Sequence, residues 1–171
     1  MEPIQELLAK DAISQVAKRY CRGVDRLDVA LMQSAYHPGA IDDHGVYVGD
    51  AMAFCERVVE THARFDGTMH CIFNHTIELD DDTHARGELY NTSYLFRTEE
   101  DGTKVVDTWW GRYLDRYELK DGRWAITYRI CVHERTTSAP ANAMPIPAEL
   151  FQQGGEDRAT GALLGPEAFG A

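Results

Sequence analysis

Apolar residues recur at helical spacing from the start of the chain, at Ile4, Leu7, Leu8, Ala12, Val16, Tyr20 and Val24, with polar residues between them. That stripe predicts one long amphipathic helix with Pro3 at its first position and Gly23 ending or distorting it. A short second helix is expected from the Asp28 cap to Tyr36, stopping before Pro38, which leaves Asp25 in the joint between the two. After a turn at His37-Pro38-Gly39, residues 40–48 read as a short extended segment. Asp50 then caps a third helix reaching about Arg64. From Thr68 the period changes to two, and strands are predicted over 69–79, 85–98, 103–119 and 123–134. Their separators, Asp80-Asp81-Asp82-Thr83, Glu99-Glu100-Asp101-Gly102 and Lys120-Asp121-Gly122, are hairpin signals. Strands this long exceed the usual length of about 5 to 6 residues, so the sheet must curl. The expected fold is a cone-shaped α+β barrel, with N-terminal helices packed on a strongly curled antiparallel sheet around a cavity.

Length changes this picture little: 171 residues with 44% hydrophobic content suit one core. We read residues 1–136 as the cone domain. Residues 137–171 form a Pro-, Gly- and Ala-rich tail, whose Ile146, Leu150, Phe151, Leu163, Leu164 and Phe169 would serve a lid or a subunit-contact arm. Charge narrows the partners. With 17 Lys and Arg against 28 Asp and Glu, a net charge of −11 disfavours nucleic acid and anionic membrane and suits a small neutral or cationic molecule. No secretory leader or membrane span is visible, so a cytoplasmic location is expected. The scattered Cys21, Cys55, Cys71 and Cys131 suggest buried free thiols rather than disulfides or a metal site.

The chemistry centres on Asp25 and His70. A carboxylate that holds an imidazole in one tautomer makes a general base at neutral pH, with no cofactor or metal. Alternation along the first long strand puts His70, Ile72, Asn74 and Thr76 on the cavity face. Met69, Cys71, Phe73, His75 and Ile77 fall on the other, against helices or a neighbouring subunit. In the last strand Arg129 shares a face with Thr127, Cys131 and His133, opposite Trp124, Ile126, Tyr128, Ile130 and Val132. There it could sit over developing negative charge, and Asp25, His70 and Arg129 would be expected to satisfy one another. Tyr20 could offer its phenol to a leaving oxygen, or simply pack.

The run Asp42-Asp43-His44 has three readings: a strand end, a carboxylate-imidazole metal site, or a cavity mouth where Asp43 or His44 contacts a substrate hydroxyl. Trp109, Trp110, Tyr113, Tyr90, Tyr94 and Phe96 imply aromatic walls around a hydrophobic, ring-bearing guest. We take Asp43, His44, Asn74, Tyr94, Trp110 and His133 as candidate substrate-binding residues.

Gly23-Val24-Asp25-Arg26, Met69-His70 and the run from Tyr117 to Trp124 leading into Arg129 resemble the SnoaL-like branch of the nuclear-transport-factor-2-like superfamily. The resemblance covers about Asp11 to Thr136. It implies that Asp25 and His70 form a catalytic dyad, that Arg129 assists charge development, and that Tyr20 occupies the place of a catalytic tyrosine in dehydratase members. It further implies a cofactor-independent lyase, a dehydratase or related elimination enzyme, working as a homotrimer or dimer. Other members of the superfamily imply alternatives: retro-aldol deformylating lyases, isomerases, and non-catalytic ligand-binding or dioxygenase small-subunit proteins. Asp42-Asp43-His44-Gly45 resembles a run found in many uncharacterised members.

Overall fold

The computed structural model describes residues 2–141 together with 144, 146 and 147. The tail positions Leu150, Phe151, Leu163, Leu164 and Phe169 lie outside the described residues, and Ile146 is exposed. Helix α1 (Pro3–Asp25) begins where the Gln5 side chain accepts from the Glu2 backbone N–H at 3.0 Å. Its apolar stripe is buried only from Ala9 onward, while Ile4, Leu7 and Leu8 are exposed. The helix runs through Gly23 instead of breaking there. A Cβ at Gly23 would sit 2.7 Å from Met32, so the glycine lets the short helix α2 (Val29–Gln33) lie directly on α1. The Asp28 cap forms as expected, accepting from the Leu31 N–H at 2.9 Å.

Strand β1 (Tyr36–Asp43) starts earlier than the sequence pattern suggests. It absorbs His37-Pro38-Gly39 as an irregularity in its pairing, not as a separate turn. The segment expected as one strand is split: after β1 the chain reverses at His44–Tyr47 and returns as β2 (Val48–Asp50), antiparallel to β1. Gly45 makes that reversal possible with φ +73, while Asp43 accepts from its N–H at 2.9 Å. Helix α3 (Ala51–His62) follows, capped by Asp50, which accepts from the Ala53 N–H at 2.9 Å.

The four long strands follow as hairpins: β3 (Gly67–Leu79), β4 (His84–Thr98), β5 (Lys104–Lys120) and β6 (Arg123–Pro140). Strand β6 continues past residue 136, pairing with β5 as far as Val105 opposite Pro140. The sheet order is β2-β1-β6-β5-β4-β3, with β1 parallel to β6 and every other pair antiparallel. The sheet stays open, a curled α+β cone, with α1 packed across β3 and β6 and α3 against β1. The core between helices and sheet includes Ile13, Val16, Met32, Leu89 and Ile126, all fully buried.

Extra residues interrupt the pairing of β3 between Ile72 and His75, and of β6 at Thr127 and Glu134. Each bulge bends the strand and resets which side chains face inward. After the β3 bulge the inner face carries His75, Ile77 and Leu79. Asn74 is exposed, and Thr76 is too. The β6 bulge at Thr127 puts Trp124 and Ile126 on the same buried side as Arg129, correcting the expected opposition of the two sets. Among the described residues no helix is long and apolar enough to cross a membrane.

Candidate functional site

A cavity of about 260 Å³ opens between α1, α3 and the inner face of the sheet, with His70, Tyr20, His44, His62, Trp109 and Tyr113 in its walls. That volume lies just below the roughly 300–1,000 Å³ usual for small-molecule sites.

The last turn of α1 carries Asp25 behind His70. Asp25 Oδ1 accepts from His70 Nδ1–H at 2.7 Å and from Thr68 Oγ1–H at 2.9 Å. Oδ2 accepts from the His70 backbone N–H at 2.9 Å. A carboxylate only accepts, so the ring proton sits on Nδ1 and the lone pair is left on Nε2. The side chains are 7% and 12% exposed, which shields the pair without sealing it. Thr68 escaped the sequence reading, although its place two residues before His70 on one strand face was the available signal.

Tyr20 lines the cavity and is nearly fully buried. Burial, then the charge of Asp42, raises its pKa well above the usual phenol range, so it remains a donor. Beneath it lies Arg129, which the sequence reading placed on the cavity. Arg129 is instead completely sealed: its Nε and Nη2 donate to Asp115 Oδ1 and Oδ2, each at 2.7 Å. Its guanidinium lies in the corner between the perpendicular rings of Tyr20 at 4.4 Å and Tyr113 at 4.1 Å. The expected Asp25–His70–Arg129 triangle therefore divides into two separate pairs. Arg129 can act on a guest only through the rings it holds.

Of the candidate substrate-binding residues, His44 and His133 line the cavity. His133 accepts from Trp109 Nε1–H at 2.8 Å through Nδ1, and its Nε2–H donates to the His44 carbonyl at 3.1 Å. Both of its nitrogens are thus spent on bracing the cavity mouth. Asp43 turns away to cap the Gly45 reversal. Asn74 faces out because of the β3 bulge. Tyr94 and Trp110 also point to the outer face, because the neighbours that face inward are Ser93, Leu95 and Trp109. His75, expected on the face opposite His70, against helices or a neighbouring subunit, lies instead on the same inner face as His70, where Tyr117 Oη accepts from its Nε2–H at 3.3 Å while donating to Asp115.

His62 was missed. It extends the Phe54–Val58 stripe of α3 by one further turn, which was the signal, and its ring lies 6.5 Å from that of His70. Burial, and then the neighbouring His70, pull its pKa down to about 4, so it is neutral at physiological pH. Burial pushes the thiols of Cys21, Cys55 and Cys131 up to about 12, and all four cysteines are free. Among the described residues no group of His, Cys, Asp and Glu is arranged around a metal position. Asp42 and His44 bond to each other.

Residues 5–130 match the SnoaL-like domain. The chain belongs to that family. Among solved structures it resembles a provisionally named scytalone dehydratase from Novosphingobium aromaticivorans. The identity is 18%, the TM-score 0.70, and the match covers 81% of this chain and 93% of the other. It likewise resembles a hexachlorocyclohexane dehydrochlorinase from Novosphingobium barchaimii, at 17% identity and TM-score 0.70 over 84% and 99% of the two chains. A Mycobacterium tuberculosis protein of unknown function aligns at 22% identity and TM-score 0.66, covering 79% and 78%. At these identities the likeness carries the fold and not the reaction. No curated protein matches the chain.

Proposed function

We propose that this SnoaL-like protein is a cofactor-independent lyase that eliminates a leaving group from a small, hydrophobic, ring-bearing molecule. The observation that supports this reading best is the 2.7 Å contact between Asp25 and His70 Nδ1, which leaves Nε2 as a base at an aromatic-walled cavity. His70 removes the proton, Asp25 steadies the imidazolium that forms, and Tyr20 donates to the departing oxygen. Arg129 holds Tyr20 and Tyr113 in place. The names of the dehydratase and dehydrochlorinase neighbours agree with elimination. If His70 took a hydroxyl proton instead, the same site would drive retro-aldol carbon–carbon cleavage. We also infer a homo-oligomer, a trimer or dimer, formed through the outer face of the sheet, where Phe73, Tyr90 and Trp110 are exposed.

The test is a screen of hydroxylated aromatic and alicyclic compounds by mass change. Loss of water identifies a dehydratase and loss of formaldehyde a deformylating lyase. His70→Ala should lose about 10²-fold or more of the activity while folding normally. Full turnover by that variant overturns the reading.

A further inference from the structure

Asp42 is completely buried at the end of β1, yet both of its oxygens are engaged. Tyr36 Oη donates to Oδ2 at 2.6 Å, and His44 Nδ1–H donates to Oδ1. His44 sits on the tight reversal made possible by Gly45. Its ring stacks on Phe54 at 4.3 Å and faces Tyr113 at 6.0 Å, in the wall of the same cavity that His70 lines. The brace from His133 to the His44 carbonyl fixes the backbone behind it. With Nδ1 committed to Asp42, Nε2 is the ring nitrogen left for a guest. The construction repeats the His70–Asp25 pair on a different element of the fold.

We propose that Tyr36, Asp42 and His44 form a second relay, in which His44 is the general acid that transfers a proton to the departing oxygen, Tyr20 giving that oxygen only a hydrogen bond, while His70 takes the carbon-bound proton. This rests on the elimination reading and names the second half of its chemistry. Geometry gives the direction of the relay. Asp25 already shares its charge among Thr68 Oγ1, the His70 backbone N–H and the His70 ring. Asp42 answers to Tyr36 and His44, which leaves it more charge to hold an imidazolium. His70, by contrast, has the ring of His62 beside it, 6.5 Å away, where His44 has the ring of Phe54.

The step balances. His70 Nε2 takes the proton, the C–H electron pair becomes the new π bond, and the C–O bond breaks with its pair going to oxygen. That oxygen takes the Nε2 proton of the His44 imidazolium and leaves as water. His70 ends protonated against Asp25, and His44 ends neutral with Nδ1–H on Asp42. Proton exchange with solvent resets both. The site would therefore take a molecule bearing a hydroxyl β to an acidic C–H, a poor leaving group that needs the acid.

The experiment compares two probes, the aldol adduct of benzaldehyde with acetone and its acetate ester. Both eliminate to the same enone, but acetate leaves without being protonated. His44→Gln is expected to lose about 10²-fold on the alcohol and under about 5-fold on the ester. His70→Ala should lose both activities. Tyr36→Phe, which keeps the ring and removes only the hydroxyl, should slow the alcohol selectively. Equal losses on the two probes for His44→Gln and for Tyr36→Phe would overturn the acid role and reduce the cluster to packing. Loss of neither activity in His44→Gln would overturn it too. Undiminished turnover of both probes by His70→Ala would instead sink the base, a separate failure.

Discussion

The Arg129–Asp115 pair and the His70–Asp25 pair are built alike, each a nitrogen held to a carboxylate at 2.7 Å, yet their surroundings differ. Both members of the first are 0% exposed and roofed by aromatic rings. The second keeps 7% and 12% exposure and leaves one ring nitrogen uncommitted. A fully buried pair orders its neighbours and has no route to a guest, even though Arg129 Nη1 is left without a hydrogen-bond partner among the described residues. A pair with a lone pair at a cavity can exchange protons with one. Burial and access to the cavity separate scaffold from chemistry here, although the residue types alone had suggested one shared triad.

The largest expected effect breaks the sealed pair. Arg129→Met leaves Asp115 as an uncompensated buried carboxylate and should cost about 3–5 kcal/mol of stability, read as a fall in the denaturant midpoint. Adding Asp115→Leu should restore much of that loss, because two apolar side chains of similar bulk remove both desolvated charges. An Arg129→Met variant of full stability with lost activity would return the arginine to the site. Next comes the open pair. Asp25→Asn keeps an acceptor for Thr68 but no longer supplies charge to an imidazolium. It should lower kcat about 10²-fold, equivalent to about 2.7 kcal/mol of barrier, with the unfolding midpoint little changed. Unfolding as severe as that of Arg129→Met would make Asp25 a structural residue after all.

How far the sequence carries depends on whether local rules or long-range pairing decide a feature. The caps at Asp28 and Asp50 and the hairpin separators are local, and each stands close to where its residue type puts it. Asp25 and His70 are 45 positions apart but meet because one lies at a helix end and the other on the strand beneath. What strict alternation hides is a bulge. One extra residue after Ile72 sends Asn74 out and His75 in, and Thr127 does the same for the Trp124–Ile126 set. Adjacent Trp109 and Trp110 must face opposite sides, and composition cannot choose between them. The hairpin that separates β1 from β2 turns on Gly45, and that reversal puts His44, not Asp43, at the cavity.

A smaller effect tests the neighbourhood of the open pair through pH. His62 is held neutral in the folded protein, at about 4 against an ordinary 6.5. Between these values the unfolded chain binds the proton that the folded one refuses, so stability rises with pH through that window. It is complete above about 6.5 and falls away as pH drops toward about 4. Burial lowers the pKa of His75 as well, and it contributes with the same sign. Replacing His62 by Phe should flatten the acid limb of stability against pH, measured by chemical unfolding at a series of pH values. A limb that stays as steep in His62→Phe would show that the imidazole is not the group excluding the proton.

The smallest effect belongs to Asn74, and its smallness is the point. On an unbroken strand Asn74 would lie beside His70 in the cavity, where losing an amide that contacts the guest should cost at least tenfold in kcat/KM. With the bulge between Ile72 and His75 the side chain is exposed on the outer face, and truncation of a surface residue usually changes stability by no more than about 0.5 kcal/mol. Asn74→Ala should therefore leave turnover and unfolding near the wild type. Thr68→Val, two residues before His70 on the inner face, should lower turnover several-fold by removing one donor from Asp25. The two variants sit on the same strand, six positions apart. If Asn74→Ala proves the more damaging, the inward face has been assigned with the wrong phase, and the residues grouped around His70 beyond Ile72 must be exchanged for those on the other side of β3.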